Sequence, residues 1–92
     1  MSTSAANVAA SDITTRIRTV LREHARLGAD ANSLPPTADL YAAGMTSHAN
    51  VNVMLALESE FDVEFPDEML KRGTFDSVDS IRSAISSLLA AA

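Results

Sequence analysis

The 92-residue chain contains no cysteine and no tryptophan, one tyrosine and three phenylalanines, and only three glycines and three prolines. Without cysteine, neither disulfides nor thiolate metal sites hold the fold, and any thiol chemistry must use a sulfur brought in from outside. No apolar run approaches the roughly 18 residues needed to cross a bilayer, and the N-terminus lacks the basic region and apolar stretch of a secretory signal, so a cytoplasmic location without membrane contact is expected. An excess of basic charge is also lacking: the formal net charge is -5, which argues against nucleic-acid binding. Glycine-rich phosphate loops, EF-hand patterns and zinc-ligand pairs are missing. With only His24 and His48 as imidazoles and no triad-like spacing, no catalytic set and no metal site can be assembled.

What remains is 47% hydrophobic and 21% charged, an ordinary globular composition. A core of Leu, Ile, Val, Met and Ala with so few aromatics fits helices better than sheet. A chain of this length supports one core, so residues 1–10 are expected to be a flexible tail and residues 11–92 a single domain, most simply a monomer.

Four helices are expected. Ser11 caps the first, in which Ile13, Ile17, Val20, Leu21 and Leu27 recur at helical spacing before Gly28 stops it. Arg16, Arg18, Arg22 and Arg26 read as its solvated stripe, and His24 as a partly buried packing residue on the apolar side. Residues 28–46 carry Gly28, Asn32, Ser33, Pro35, Pro36 and Gly44 and form a long loop, pinned to the core by Leu34, Leu40 and Tyr41. A second helix opens at Thr46 or Ser47 and gathers Val51, Met54, Leu55, Leu57 and Phe61 on one side, with Asn50 and Asn52 outside that stripe. Glu58 falls near the stripe's middle and is placed at the helix end, within reach of water. Pro66 starts a short third helix that Gly73 ends. Asp76 or Ser77 caps a fourth, with Val78, Ile81, Ile85, Leu88 and Leu89 facing inward.

The charge is uneven. Residues 1–50 sum to zero, whereas Glu58, Glu60, Asp62, Glu64, Asp67 and Glu68 follow one another without a Lys or Arg; this reads either as a solvated acidic face or as a surface for basic proteins. The segment Leu40-Tyr41-Ala42-Ala43-Gly44-Met45-Thr46-Ser47-His48 delivers a serine to the start of an amphipathic helix, where unpaired backbone N–H groups and the helix dipole favour an anion. Local chemistry leaves two roles open for Ser47, helix cap or modified hydroxyl.

From Asp39 to about Leu89 the pattern resembles the acyl and peptidyl carrier protein family. Leu40, Gly44 and Ser47 fill the places of its Leu-x-x-x-Gly-x-x-Ser segment. Met54-Leu55-Ala56-Leu57-Glu58 with Phe61, Glu64-Phe65-Pro66-Asp67-Glu68, and Thr74-Phe75-Asp76-Ser77-Val78 with Ile81 follow in the family's order. The resemblance implies an all-α four-helix bundle with three longer helices, a short third one and a long loop between helices one and two. It implies a non-catalytic carrier in which a phosphopantetheinyl transferase converts Ser47, using coenzyme A, into a 4′-phosphopantetheine ester whose thiol holds an acyl or aminoacyl thioester. A loading ligase and a downstream acceptor enzyme are the further partners. They would dock on helix two and the region after it, at Thr46, His48, Val51, Glu58, Glu60, Asp62 and Glu64. Thr46 and His48 stand where the family usually has Asp or His and an apolar residue. That departure, together with a helix two that turns acidic only from Glu58, suggests a stand-alone aminoacyl carrier charged by an aminoacyl-tRNA-synthetase-like ligase; an arm-less acidic interaction domain is the alternative.

Overall fold

The computed structural model describes residues 10–28 and 30–91, in which three α-helices are joined by two long connections: α1 (Ala10–His24), α2 (Ser47–Phe61) and α3 (Val78–Ala91). Expectations for the N-terminal tail concern residues outside this range, apart from Ala10, which already opens α1. Ser11 therefore lies inside the first turn and is not the cap. Among the described residues there is no strand, and no helix is long and apolar enough to cross a membrane.

The all-helical class expected from composition holds, but the helix count does not. In place of a short third helix the chain makes two separate 3-10 turns, Asp67–Met69 and Arg72–Thr74. Pro66 sits before the first turn in extended conformation, and Gly73 lies within the second instead of ending a helix. Seven residues offer too few intrahelical bonds to offset helix nucleation. Here the segment is shaped instead by Phe65 and Phe75, both buried, whose rings meet edge to face at 5.2 Å.

Ile13, Ile17, Val20 and Leu21 form the buried stripe of α1, which packs against both other helices. Helix α1 ends at His24, before the expected Gly28 stop; Arg26 adopts φ 55°, and Leu27 packs on the core from the loop. Leu21 and Ala25 carry the buried face through the helix end, and His24 between them is exposed rather than partly buried. The arginine stripe is only half solvated. Arg18 donates to the carbonyls of Ala31 and Leu34, both at 2.7 Å, and so ties the first connection to α1. Arg16 crosses to α2, as described below. Arg22 and Arg26 remain exposed.

That first connection is pinned as expected: Leu40 is fully buried, and Leu34 and Tyr41 pack against the core. Two backbone bonds moor it to the start of α3, from Leu40 N–H to Asp76 O and from Asp79 N–H to Pro36 O. Ser77 caps α3, its hydroxyl accepting from Ser80 N–H at 3.1 Å.

The core face of α2 keeps Leu57 and Phe61 of the expected stripe, with Met54 packed beside it, but not Val51 and Leu55. Ala49, Val53, Leu57 and Phe61 are buried, each four residues from the last, whereas Val51 and Leu55 are 49% and 54% exposed. Helix α2 is apolar on two sides, so either stripe satisfies helical periodicity, and packing against α1 selects one of them. The other is left facing solvent.

Candidate functional site

The approach to Ser47 is a six-residue backbone device. Met45 N–H donates to Leu40 O and Gly44 N–H to Tyr41 O, the paired bonds of a Schellman turn. Gly44 has φ 120°, and the flanking apolar residues Leu40 and Met45 are both buried, as that motif favours. Asp39 Oδ1 opens the device by accepting from Tyr41 N–H at 3.0 Å. A side chain at Gly44 would meet Gly28 N at 3.2 Å, and Gly28 N–H itself donates to Ala43 O. The spacing Leu40-x-x-x-Gly44 therefore has a mechanical meaning: it turns the chain sharply and aims the next residues at the start of α2.

Thr46 follows in extended conformation, and its hydroxyl accepts from Ala49 N–H at 3.0 Å. Thr46 is thus the N-cap, and Ser47 is not. As the first helical residue, Ser47 is exposed and its hydroxyl makes no hydrogen bond among the described residues. The first backbone bond of the helix runs from Asn50 N–H to Thr46 O, so the N–H groups of Ser47 and His48 have no intrahelical acceptor. A free hydroxyl beside two unpaired amides and the positive end of a 15-residue helix suits a covalently attached phosphodiester.

A groove of about 300 Å³ opens beside Ser47. Asn50, Val51 and Met54 of α2 form one wall, and Tyr41, Leu70 and Arg72 face it from the two connections. The guanidinium of Arg72 stacks 3.8 Å above the Tyr41 ring. Burial pushes the Tyr41 hydroxyl pKa up; Arg72 opposes this, while Asp76 and Asp39 reinforce it.

The residues expected to contact partners divide into two groups. His48, Val51, Asp62 and Glu64 are exposed and make no side-chain hydrogen bond or ion pair among the described residues. Thr46, Glu58 and Glu60 have internal duties that the acidic run did not reveal. The half-buried Glu58 accepts from Phe65 N–H through Oε2 at 2.9 Å, while its carbonyl receives the N–H groups of Asp62 and Val63 as α2 ends. Glu58 thus folds the connection back and is not simply a carboxylate at a wet helix end. Glu60 pairs with Arg16 at 2.8 Å, and Arg16 also donates to Glu60 O at 2.6 Å and lies 4.3 Å over the Phe61 ring. Two further exposed apolar residues, Leu55 and Leu70, accompany Val51 on the surface. Leu55 lies four residues after Val51, a spacing that marked a second stripe; Leu70, 45% exposed, follows a 3-10 turn and leaves no periodic signal. Asn50 lies outside the buried stripe of α2, as expected, and lines the groove.

Residues 13–85 match a sequence family described as a phosphopantetheine attachment site. The chain is 40% identical over 73 residues to the aminoacyl carrier protein of Agrobacterium fabrum, covering 79% of this chain and 88% of that relative. A solved complex of an engineered Bradyrhizobium japonicum glycine:[carrier protein] ligase with a carrier protein from Agrobacterium tumefaciens and ATP contains a chain that superposes with a TM-score of 0.79. The two share 37% identity over 82% of this chain and 97% of that one. The complex of the Bradyrhizobium japonicum ligase with glycylated carrier protein gives a TM-score of 0.68 at 30% identity, covering 78% and 96%.

Proposed function

The chain belongs to the phosphopantetheine-attachment family of carrier proteins, and from that premise we propose that Ser47 Oγ is the atom that bears its 4′-phosphopantetheine arm. The protein is a non-catalytic carrier acting with separate enzymes. When attached, the arm supplies the thiol that holds the carried group as a thioester, which accounts for such chemistry in a chain without cysteine. The single observation that carries the Ser47 assignment is the division of labour at the start of α2: Thr46 makes the cap and leaves the neighbouring hydroxyl exposed and unbonded.

The chain's own residues account for the rest. Leu40, Gly44 and Met45 fix where the serine stands, and the amides of Ser47 and His48 offer their N–H groups to the phosphodiester. A phosphopantetheinyl transferase using coenzyme A modifies Ser47. An amino acid:carrier protein ligase then charges the arm, glycine being the first amino acid to try because a relative's carrier chain is described as glycylated. A downstream acceptor enzyme takes the aminoacyl group. We read the carrier as a monomer working in the cytoplasm, where coenzyme A and ATP are at hand.

Partners dock on the exposed second stripe of α2, Val51 and Leu55, continued by Leu70, with the carboxylates of Asp62 and Glu64 providing attraction to a basic rim. Glu60 is removed from the set because Arg16 already engages it.

The test is loading of the modified protein by purified ligase with ATP and one amino acid at a time, read by intact mass. Gain of one hydroxylamine-labile aminoacyl group is the expected result; loading by fatty acids alone contradicts the aminoacyl reading. Reversing Asp62 and Glu64 to Lys slows loading at low salt, and the difference narrows as salt is raised. Equal rates at low salt contradict acidic docking.

A further inference from the structure

Between Leu27 and Ile81 the sequence holds two basic residues, Lys71 and Arg72, against ten carboxylates. Both basic residues line the groove that contains Ser47, and none of the ten carboxylates does. Asp39, Asp76 and Asp79 line a separate cavity instead. An acidic chain therefore sets positive charge beside its candidate serine. Lys71 and Arg72 are exposed, and neither has an ion-pair partner among the described residues. Arg72 is nevertheless held in place. Its guanidinium lies 3.8 Å from the centre of the Tyr41 ring, and Tyr41 O accepts from Gly44 N–H within the turn that leads to Ser47. A guanidinium stacked on a ring still directs its N–H groups outward from its edge, and that fork matches two oxygens of a phosphate.

We propose that Arg72, with Lys71 beside it, takes part in attaching the arm: its guanidinium binds the phosphoryl group that passes to Ser47 Oγ. The inference rests on the assignment of Ser47. In the transfer, Ser47 Oγ bonds to the pantetheine-side phosphorus of coenzyme A, and the bond from that phosphorus to the bridging oxygen of the diphosphate breaks. Adenosine 3′,5′-bisphosphate leaves with the electron pair, and the hydroxyl proton goes to a base of the transferase. Arg72 offers donors to the phosphoryl oxygens throughout, and because Tyr41 already orders its side chain, little reorganisation is needed when the reaction occurs. Tyr41 acts through Arg72 and is a positioning residue. Lys71 adds a point charge on a flexible stem. Once attached, the phosphodiester remains beside the same pair.

The experiment follows modification by purified phosphopantetheinyl transferase with coenzyme A, after peptide mapping has located the arm. Arg72→Gln is expected to slow modification about tenfold at low salt, the scale of one charge contact near a protein surface, and the difference narrows as salt is raised. Arg72→Lys keeps the charge and most of the rate. Lys71→Gln alters an exposed side chain, so its smaller loss of rate does not come from misfolding. Arg22→Gln, which removes an exposed cation outside the groove, leaves the rate unchanged. The readout independent of rate is the phosphorus magnetic resonance signal of the modified protein, which is expected to move in both Arg72→Gln and Lys71→Gln. Equal rates for Arg72→Gln and the parent at low salt overturn the proposal. So do an Arg72→Lys protein as slow as Arg72→Gln, an equal loss in Arg22→Gln, or a phosphorus signal that neither groove variant moves. An arm mapped to another residue instead removes the Ser47 assignment itself.

Discussion

Replacing Gly44 by Ala tests the mechanical reading of the site. A residue at φ 120° lies where L side chains are strained, which costs about 1–3 kcal/mol. The new Cβ would stand 3.2 Å from Gly28 N, between backbone segments that have little room to part. Weakening the Gly28 N–H bond to Ala43 O adds about 0.5–1.5 kcal/mol. Reduced freedom of the unfolded chain returns about 0.4–1 kcal/mol, leaving a net loss of about 2 kcal/mol. For a domain of this size that lowers Tm by about 8–16 °C. Urea unfolding followed by circular dichroism measures it, with an unchanged m-value expected because the same surface is exposed. Gly28→Ala is the internal control: its Cβ would meet only Ala43 O at an ordinary 3.6 Å, without a positive φ, so a near-neutral effect is expected. A Gly44→Ala protein within about 0.5 kcal/mol of the parent refutes the reasoning. Because the turn aims Thr46 and Ser47, the variant is also expected to be modified more slowly by the transferase.

Three further outcomes follow from the same contacts. Glu58→Ala, which strips the Phe65 amide of its charged acceptor, is expected to cost about 1–2 kcal/mol in urea unfolding, and a neutral result contradicts the role assigned to it. Arg16→Ala is expected to destabilise more than Glu60→Ala, since Arg16 also holds Glu60 O and covers Phe61, whereas the exposed ion pair alone is worth less than about 1 kcal/mol and weakens with salt. Tyr41 is the sole tyrosine and no tryptophan is present, so tyrosinate absorbance reports it alone. Burial raises its pKa above the ordinary 10.0. The stability it contributes is thus present below the unfolded value and lost as pH rises through the folded one. Its titration midpoint should exceed that of the denatured chain and rise further in Arg72→Ala; a midpoint at or below the denatured one contradicts the burial.

Helix spacing and cap chemistry made most of this fold legible. Ile13, Ile17, Val20 and Leu21 allow only one stripe, and Ser77 precedes an unambiguous apolar face. In α2, Leu57 and Phe61 were legible as core, but Val51 and Leu55 satisfy the same period as Ala49 and Val53, and periodicity cannot say which of two apolar faces a neighbouring helix will cover. The third helix failed for another reason: Pro66, the acidic pair Asp67 and Glu68, and Gly73 are sound helix signals, but the buried Phe65 and Phe75 constrain so short a stretch more strongly than its local preferences do. The residues around Ser47 single it out as the proposed attachment point, whereas its freedom from capping duty depends on the extended backbone of Thr46. The duties of Arg16, Arg18, Glu58 and Glu60 are contacts across the chain, between residues 7 to 44 positions apart, and no local pattern encodes them.

The most direct measurement of the central claim is the intact mass of the protein after incubation with coenzyme A and a broad-specificity phosphopantetheinyl transferase, beside the Ser47→Ala and Thr46→Ala variants. A single added phosphopantetheine that is lost in Ser47→Ala and retained in Thr46→Ala is the expected result. No added mass, or an addition that persists in Ser47→Ala and maps to Ser33 or Ser77, contradicts it.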